Sequence, residues 1–153
     1  MSTSATNSPQ DSADPLALPA SVGRGGADLW LAIVAGGALG TLARFGLAEA
    51  LPASGTDWRW STLIANVIGA AALGVILVRL PNQGSKPNRL RAFLATGVCG
   101  GLTTFSTMQR ELLAMVDGGR GALALSYAAV SIIAGLLAVL ITVRISQRGR
   151  SGR

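Results

Sequence analysis

The sequence predicts an all-α membrane protein with four transmembrane helices. Half of the 153 residues are hydrophobic and only 13% are charged, whereas a soluble domain carries about 25% charged residues. Four long apolar runs occupy nearly all of the chain after residue 28, and together they leave no amphipathic shell for a soluble helical core. The last three runs each reach the roughly 18 residues that a helix needs to cross a hydrocarbon core.

The chain divides into a tail, a membrane domain and a second, shorter tail. Residues 1–27 are rich in Ser, Ala, Pro, Asp and Gly without apolar periodicity, so we expect a disordered amino-terminal tail. Residues 28–145 form the predicted four-helix transmembrane domain, and residues 146–153 form a basic carboxyl-terminal tail. The four apolar runs within the domain are Leu29–Leu47, Ser61–Val78, Ala92–Gln109 and Gly121–Val143.

The connections between these runs are short and contain turn residues. Pro52 and Asp57 lie in the first connection, residues 81–87 begin and end with proline in the second, and Gly118 and Gly119 follow Asp117 in the third. Short connections require consecutive helices to run antiparallel. No part of the chain is left to form a domain outside the membrane.

Small residues recur four positions apart in all four runs, which aligns them on one helix face. Transmembrane helices associate by close backbone approach, so this spacing predicts tight helix packing. The pairs are Gly36 with Gly40, Ala70 with Gly74, Gly97 with Gly101, and Ser131 with Gly135.

The composition also excludes several kinds of chemistry. The chain has no His and a single Cys, Cys99, so His-based metal sites, catalytic triads and intrachain disulfides are excluded. We therefore expect no enzymatic activity. The net charge of +6 comes from basic residues that flank apolar runs, and this placement is typical of membrane topology rather than nucleic-acid binding.

The third run contains an unusual local sequence at its centre. Two glycines, Gly100 and Gly101, precede the β-branched pair Thr103 and Thr104, which is a poor combination for a helix interior. We expect the third helix to be broken at mid-membrane, where freed backbone groups can face protein, water or an ion. The alternative is that the Thr and Ser hydroxyls bond to the preceding turn and only bend the helix.

Two other runs carry isolated polar side chains. Asn66 stands among apolar residues, with Thr62 one turn before it on the same face, and Tyr127 and Ser131 lie one turn apart in the fourth run. A buried amide in hydrocarbon needs partners, so Asn66 is either an interhelical hydrogen-bond link or a donor that lines a pore.

Three motifs in this order resemble the CrcB/Fluc family of small bacterial fluoride channels. They are residues 36–45 (GGALGTLARF), 66–69 (NVIG) and 100–107 (GGLTTFST), and the resemblance extends over about residues 36–143. It implies a channel in the bacterial inner membrane that exports fluoride and lowers its cytoplasmic toxicity. It also implies an antiparallel dimer with two fluoride pathways and a central, structural sodium ion.

The resemblance assigns roles to individual residues. Gly100 and Thr103 match the sodium-binding positions, and Arg44 matches a basic residue near the vestibule. The matching pore positions are Asn66, Phe105 as the first phenylalanine of an aromatic box, Thr62, Tyr127 and Ser131. The second box phenylalanine is Met108 here and a later serine is Gly135, so one ion position lacks its aromatic contact.

Physical chemistry supports such a lining for fluoride. The anion is small and strongly hydrated, so a pore must replace its water with donors such as the Asn66 amide, the Thr62, Ser106 or Ser131 hydroxyls and the ring edge of Phe105. A fixed central cation favours anions without binding each one tightly.

Charge placement bears on the identity of the second subunit. With four spans, nine basic residues lie on the side of the two termini and four lie on or near the other side. A chain that inserts in both orientations should carry little bias, so the partner is either a second copy or an oppositely biased homologue. The nine are Arg24, Arg79, Lys86, Arg89, Arg91, Arg144, Arg148, Arg150 and Arg153, and the four are Arg44, Arg59, Arg110 and Arg120.

Two other functions compete with this interpretation. A proton-coupled multidrug exporter needs a carboxylate within the membrane, but Glu49 and Glu111 both lie near the ends of their runs. We expect Glu111 to pair with surface cations such as Arg110 or Arg120. In a non-transporting membrane scaffold, the broken helix and Asn66 would serve packing alone.

Overall fold

The computed structural model describes residues 24–53, 57–81 and 88–151, and all the regular secondary structure within these ranges is helical. Helix α1 covers Arg24–Ala50 and α2 covers Trp60–Arg79. A continuous helical stretch follows, made of α3 (Arg89–Arg91), a π-helix (Ala92–Cys99) and α4 (Gly100–Leu102), and we call it the 89–102 helix. Helix α5 covers Phe105–Asp117 and α6 covers Gly121–Ser151.

The structure describes the inner part of each predicted tail, and both parts are helical. Helix α1 begins at Arg24, so residues 24–27 are helical rather than part of a disordered tail. Helix α6 continues to Ser151, so residues 146–151 are helical as well, and Ser146 is buried. Neither junction contains a proline that would end a helix, and the apolar pattern marks only the lipid-facing part of each element. Residues 1–23 and 152–153 lie outside the described residues.

Three of the described helices are long and apolar enough to cross a membrane. By length and composition these are Gly26–Ala50, Trp60–Arg79 and Gly121–Gly149. The third predicted run is divided between the 89–102 helix and α5, with Thr103 and Thr104 outside either helix. The chain is therefore an all-helical, multi-pass membrane protein.

Glycines bring α1 and the 89–102 helix into direct backbone contact. A Cβ atom at Gly36 or Gly40 would collide with backbone atoms of Phe93 or Val98, and one at Gly101 would collide with the backbone of Gly37. The close packing predicted for the small residues of these two runs is confirmed. Gly74 packs against the Thr142 side chain and the Val139 carbonyl of α6, whereas a Cβ at Gly135 would meet no atom within 4 Å.

Two ion pairs connect the ends of neighbouring elements. Arg120 bonds Asp57 at 3.0 Å, which links the start of α6 to the connection before α2. Arg89 pairs with Asp28, which links the start of the 89–102 helix to the start of α1. The buried core lies between α2, α5 and α6, and it consists of Leu63, Met108, Met115, Ala124 and Tyr127.

Candidate functional site

The third run is interrupted by two residues in extended conformation. Thr103 has φ −77° and ψ 149°, and Thr104 has φ −150° and ψ 122°. The Thr104 hydroxyl accepts a hydrogen bond from the Thr107 N–H at 3.2 Å and so caps the start of α5. The residue types explain this local geometry, because β-branched residues favour extended backbone and threonine is a good N-cap.

Asn66 pairs with the peptide groups of Thr104 in both directions. Its Oδ1 accepts the Thr104 N–H at 2.7 Å, and its Nδ2 donates to the Thr104 carbonyl at 3.2 Å. The N–H can only be matched by the amide oxygen, so the pairing fixes the orientation of the amide. The structure therefore shows Asn66 as an interhelical hydrogen-bond link, one of the two roles left open by the sequence. One Nδ2 hydrogen remains for another acceptor.

Arg44 reaches from α1 to the end of the 89–102 helix. Its Nε donates to the Gly101 carbonyl at 3.2 Å, which supplies a partner for a carbonyl that the interruption frees. Arg44 also lines a cavity of about 480 Å³ together with Arg59, Thr62 and Glu111. The side chain thus combines a structural contact with a place in the lining of this cavity.

The two residues matched to sodium-binding positions lie on either side of the end of the 89–102 helix. The Thr103 hydroxyl donates to the Cys99 carbonyl at 2.9 Å, and its methyl group packs where Gly69 has no side chain. Gly100 is exposed, and a Cβ there would meet no atom within 4 Å. In the described part of the chain, no group of three or more Cys, Asp or Glu side chains could hold a metal ion.

Phe105 and Met108 lie in contrasting environments although both belong to the first turns of α5. Phe105 is 67% exposed in the single chain, whereas Met108 is 5% exposed and packs in the core. Ser106 is exposed and lies 3.4 Å from the Thr104 hydroxyl. Phe105 and Ser106 therefore face outward beside the interruption, whereas Met108 does not.

Thr62 and Tyr127 both donate to the carboxylate of Glu111, a contact that the sequence did not predict. Thr62 donates to Glu111 Oε1 at 2.7 Å, and Tyr127 donates to Glu111 Oε2 at 2.8 Å. Glu111 is half-buried between α2 and α6, so the expectation of surface pairing was wrong about its surroundings. The spacing held a signal: Glu111 lies three residues after Met108 and four before Met115, both of which are buried.

Ser131 lies one turn beyond Tyr127 on α6 and has an unusual environment. It is 6% exposed, and its hydroxyl has no hydrogen-bond partner in the structure. A buried hydroxyl without a partner costs about 1–3 kcal/mol, so such groups commonly have a ligand or a water to bind.

The chain is similar to a protein family and to several named relatives. Residues 31–143 match the family described as CrcB-like protein, Camphor Resistance (CrcB). The fluoride-specific ion channel FluC 1 of Mycobacterium bovis is 43% identical over 80% of this chain and 92% of its own length. The fluoride-specific ion channels FluC of Thermus thermophilus and Xanthomonas euvesicatoria are 41% and 40% identical over 78% and 76% of this chain, covering 94% and 89% of their own lengths.

The family match covers most of the membrane domain, and it includes the interruption, Asn66 and the Glu111 cluster. The relatives align over nearly their whole length. On these grounds, this multi-pass membrane protein belongs to the CrcB family.

Proposed function

We propose that the protein is a fluoride-specific channel that exports fluoride across the bacterial cytoplasmic membrane and so lowers cytoplasmic fluoride toxicity. The observation that carries the proposal is the Thr103–Thr104 interruption in an uncharged segment, with Asn66 and Phe105 beside it. Irregular backbone is tolerated within a membrane only where it faces protein or an ion path. We place the interruption at mid-membrane on this basis.

Uncharged donors form the proposed path. The second amide hydrogen of Asn66 and the hydroxyls of Ser106 and Ser131 supply hydrogen bonds that replace part of the water around fluoride. The exposed edge of Phe105 supplies a weak positive potential. The proposed lining consists of Asn66, Phe105, Ser106 and Ser131, with Arg44 at the vestibule. Thr62, Met108 and Tyr127 are buried side chains that border this lining without donating to fluoride.

An antiparallel dimer accounts for the groups that the single protomer leaves uncovered. Phe105 is largely exposed, and the open face at Gly100 allows close approach of a second backbone. The simpler partner is a second copy of this chain. An oppositely biased homologue is the alternative that the charge distribution favours.

A central sodium ion fits the donor set at the interruption. Backbone carbonyls and hydroxyl oxygens are the ligands that hard cations prefer, and the Thr103 hydroxyl uses its hydrogen on Cys99, which leaves its oxygen free to act as a ligand. Gly100 and Thr103 would hold the ion, with the same residues of the partner. When bound, the ion supplies a fixed positive charge that favours anions.

Fluoride efflux from proteoliposomes, measured with a fluoride-selective electrode, tests the function. We expect the native chain to conduct fluoride over chloride. Phe105→Ile removes the ring edge and Asn66→Asp places a carboxylate beside the path, so both variants should lose about 90% or more of the flux. Leu125→Ile changes a side chain of similar exposure on α6 and should leave the flux unchanged.

Two results of this measurement would contradict the proposal. A reconstituted chain that releases no fluoride in preference to chloride would contradict the homodimeric fluoride channel. Equal flux from native protein and Phe105→Ile would contradict the proposed place of Phe105.

A further inference from the structure

Glu111 has contacts that neither the sequence nor the proposed donor lining explains. Its two carboxylate oxygens each accept one hydroxyl hydrogen, from Thr62 of α2 at 2.7 Å and from Tyr127 of α6 at 2.8 Å. The Tyr127 hydroxyl has a second acceptor, the Arg59 carbonyl, at the longer distance of 3.4 Å. Three elements therefore meet at one half-buried carboxylate.

The direction of these hydrogen bonds decides what the hydroxyls can offer an anion. A hydroxyl has one hydrogen, and an ionised carboxylate can only accept. The hydrogens of Thr62 and Tyr127 therefore both point to Glu111. Thr62 and Glu111 line the cavity of about 480 Å³, so at this point the wall presents oxygen lone pairs rather than donors.

The charges around the same cavity are mixed. Arg44 and Arg59 line it together with Glu111, and Arg110 joins Arg59 and Glu111 at a neighbouring cavity of about 290 Å³. Arg44 and Arg59 donate to the carbonyls of Gly101 and Ala53. Glu111 thus lines both cavities together with three arginines, and its negative charge offsets part of their positive potential.

We propose that Glu111 is a positioning residue that keeps fluoride binding weak at the cavity end of the path. This inference rests on the proposed function. By holding the hydroxyl hydrogens of Thr62 and Tyr127, it leaves the oxygens of Thr62 and of its own carboxylate as acceptors on the cavity wall, and these bind the water molecules of hydrated fluoride. Fluoride loses this water further along the path, at the Asn66 amide and the ring of Phe105. Moderate binding of this kind favours rapid passage.

The substitution Glu111→Gln tests the proposal with little change of shape. The amide removes the negative charge, and its NH₂ group donates to one of the two hydroxyl oxygens, which releases that hydroxyl's hydrogen. Both changes strengthen anion binding. We expect the fluoride concentration that gives half-maximal flux to fall about threefold or more, while the maximal flux does not rise.

Controls separate this effect from a general loss of structure. Glu49→Gln removes an exposed carboxylate near the end of α1 and should leave the half-saturating concentration unchanged. Glu111→Asp keeps the charge and should restore the native value more closely than Glu111→Gln. A merely structural role would lower the maximal flux and the melting temperature without moving the half-saturating concentration.

Tyr127→Phe provides an independent test should Glu111→Gln fail to assemble. Because the Tyr127 hydrogen points to Glu111, its loss should change the half-saturating concentration by less than about twofold. A several-fold increase would mean that the hydroxyl binds fluoride directly and would overturn the proposal. An unchanged value in Glu111→Gln, in a preparation whose native protein conducts fluoride, would overturn it equally, whereas absence of native flux would count against the proposed function instead.

Discussion

At the scale of single residues, the interruption is held by side chains that stand in for missing backbone partners. Asn66 carries the same donor and acceptor as a peptide group, and it pairs with both polar groups of Thr104. Arg44 does the same for the Gly101 carbonyl. These contacts satisfy groups that an intact helix would have satisfied by itself.

The substitution Asn66→Leu should therefore destabilise the protein although the volume changes little. It leaves the part-buried N–H and carbonyl of Thr104 without the partner that Asn66 supplies, and each such loss costs at most about 1–3 kcal/mol. Thermal unfolding in detergent should show a clearly lower midpoint. Gln109→Leu alters an exposed amide on α5 and is the matched control; equal midpoints for the two variants would contradict the structural role of Asn66.

The sequence could predict some of these residues but not their partners. Asn66 is conspicuous because it is a lone amide in an apolar run, yet its pairing with Thr104 joins residues 38 positions apart. Glu111 was misjudged because the cations near it in sequence, Arg110 and Arg120, suggested surface pairs. Its actual partners come from α2 and α6, and a local pattern contains no information about such distant contacts.

At the scale of elements, the apolar runs and the position of the interruption could be predicted, but the helix ends could not. Hydrophobic pattern reports contact with lipid, whereas α1 and α6 extend past the apolar runs because nothing in the flanking sequence ends a helix. The π-helix over Ala92–Cys99 was also missed. Wide turns of this kind depend on how the neighbouring helix packs, which composition does not reveal.

The contact between α1 and the 89–102 helix makes a specific prediction for glycine. Gly40→Ala places a methyl group against backbone atoms of Val98 and Leu102, which cannot rotate away. We expect a loss of about 1–3 kcal/mol in stability, the usual cost of an overpacked core. Thermal unfolding of the detergent-solubilised protein measures it.

Gly46→Ala is the control on the same helix, since a Cβ there would meet no atom within 4 Å. It also replaces glycine by a better helix former, so the midpoint should hold or rise slightly. A Gly40→Ala protein as stable as Gly46→Ala would contradict the close contact between the two helices.

At the scale of the whole molecule, the distribution of charge is the feature that concerns assembly. In the four-span topology predicted from the sequence, nine basic residues fall on the side of the two termini and four on or near the other side. The Asp28–Arg89 and Asp57–Arg120 pairs lie at opposite ends of the bundle, as hairpin connections require. Antiparallel pairing of identical chains requires both insertion orientations, and the bias works against one of them.

This bias predicts the orientation of the chain when it is produced alone in bacteria. A carboxyl-terminal green fluorescent protein fusion should be bright, and the matching alkaline phosphatase fusion should be weak, because most copies keep both termini in the cytoplasm. Replacing Arg144, Arg148 and Arg150 by Gln should raise the phosphatase signal. Equal signals from the two native fusions would contradict a dominant orientation and favour the simple homodimer.

The glycine contact between α1 and the 89–102 helix has a consequence for how the family can vary. Where two backbones touch without side chains, every substitution adds atoms and none removes them. The surface therefore has no rotamers to readjust and no neighbouring side chain to shorten in compensation. Substitution of Gly36, Gly40, Gly97 or Gly101 by any larger residue is therefore unfavourable. Diversity among relatives should concentrate on the lipid-facing side of the same helices.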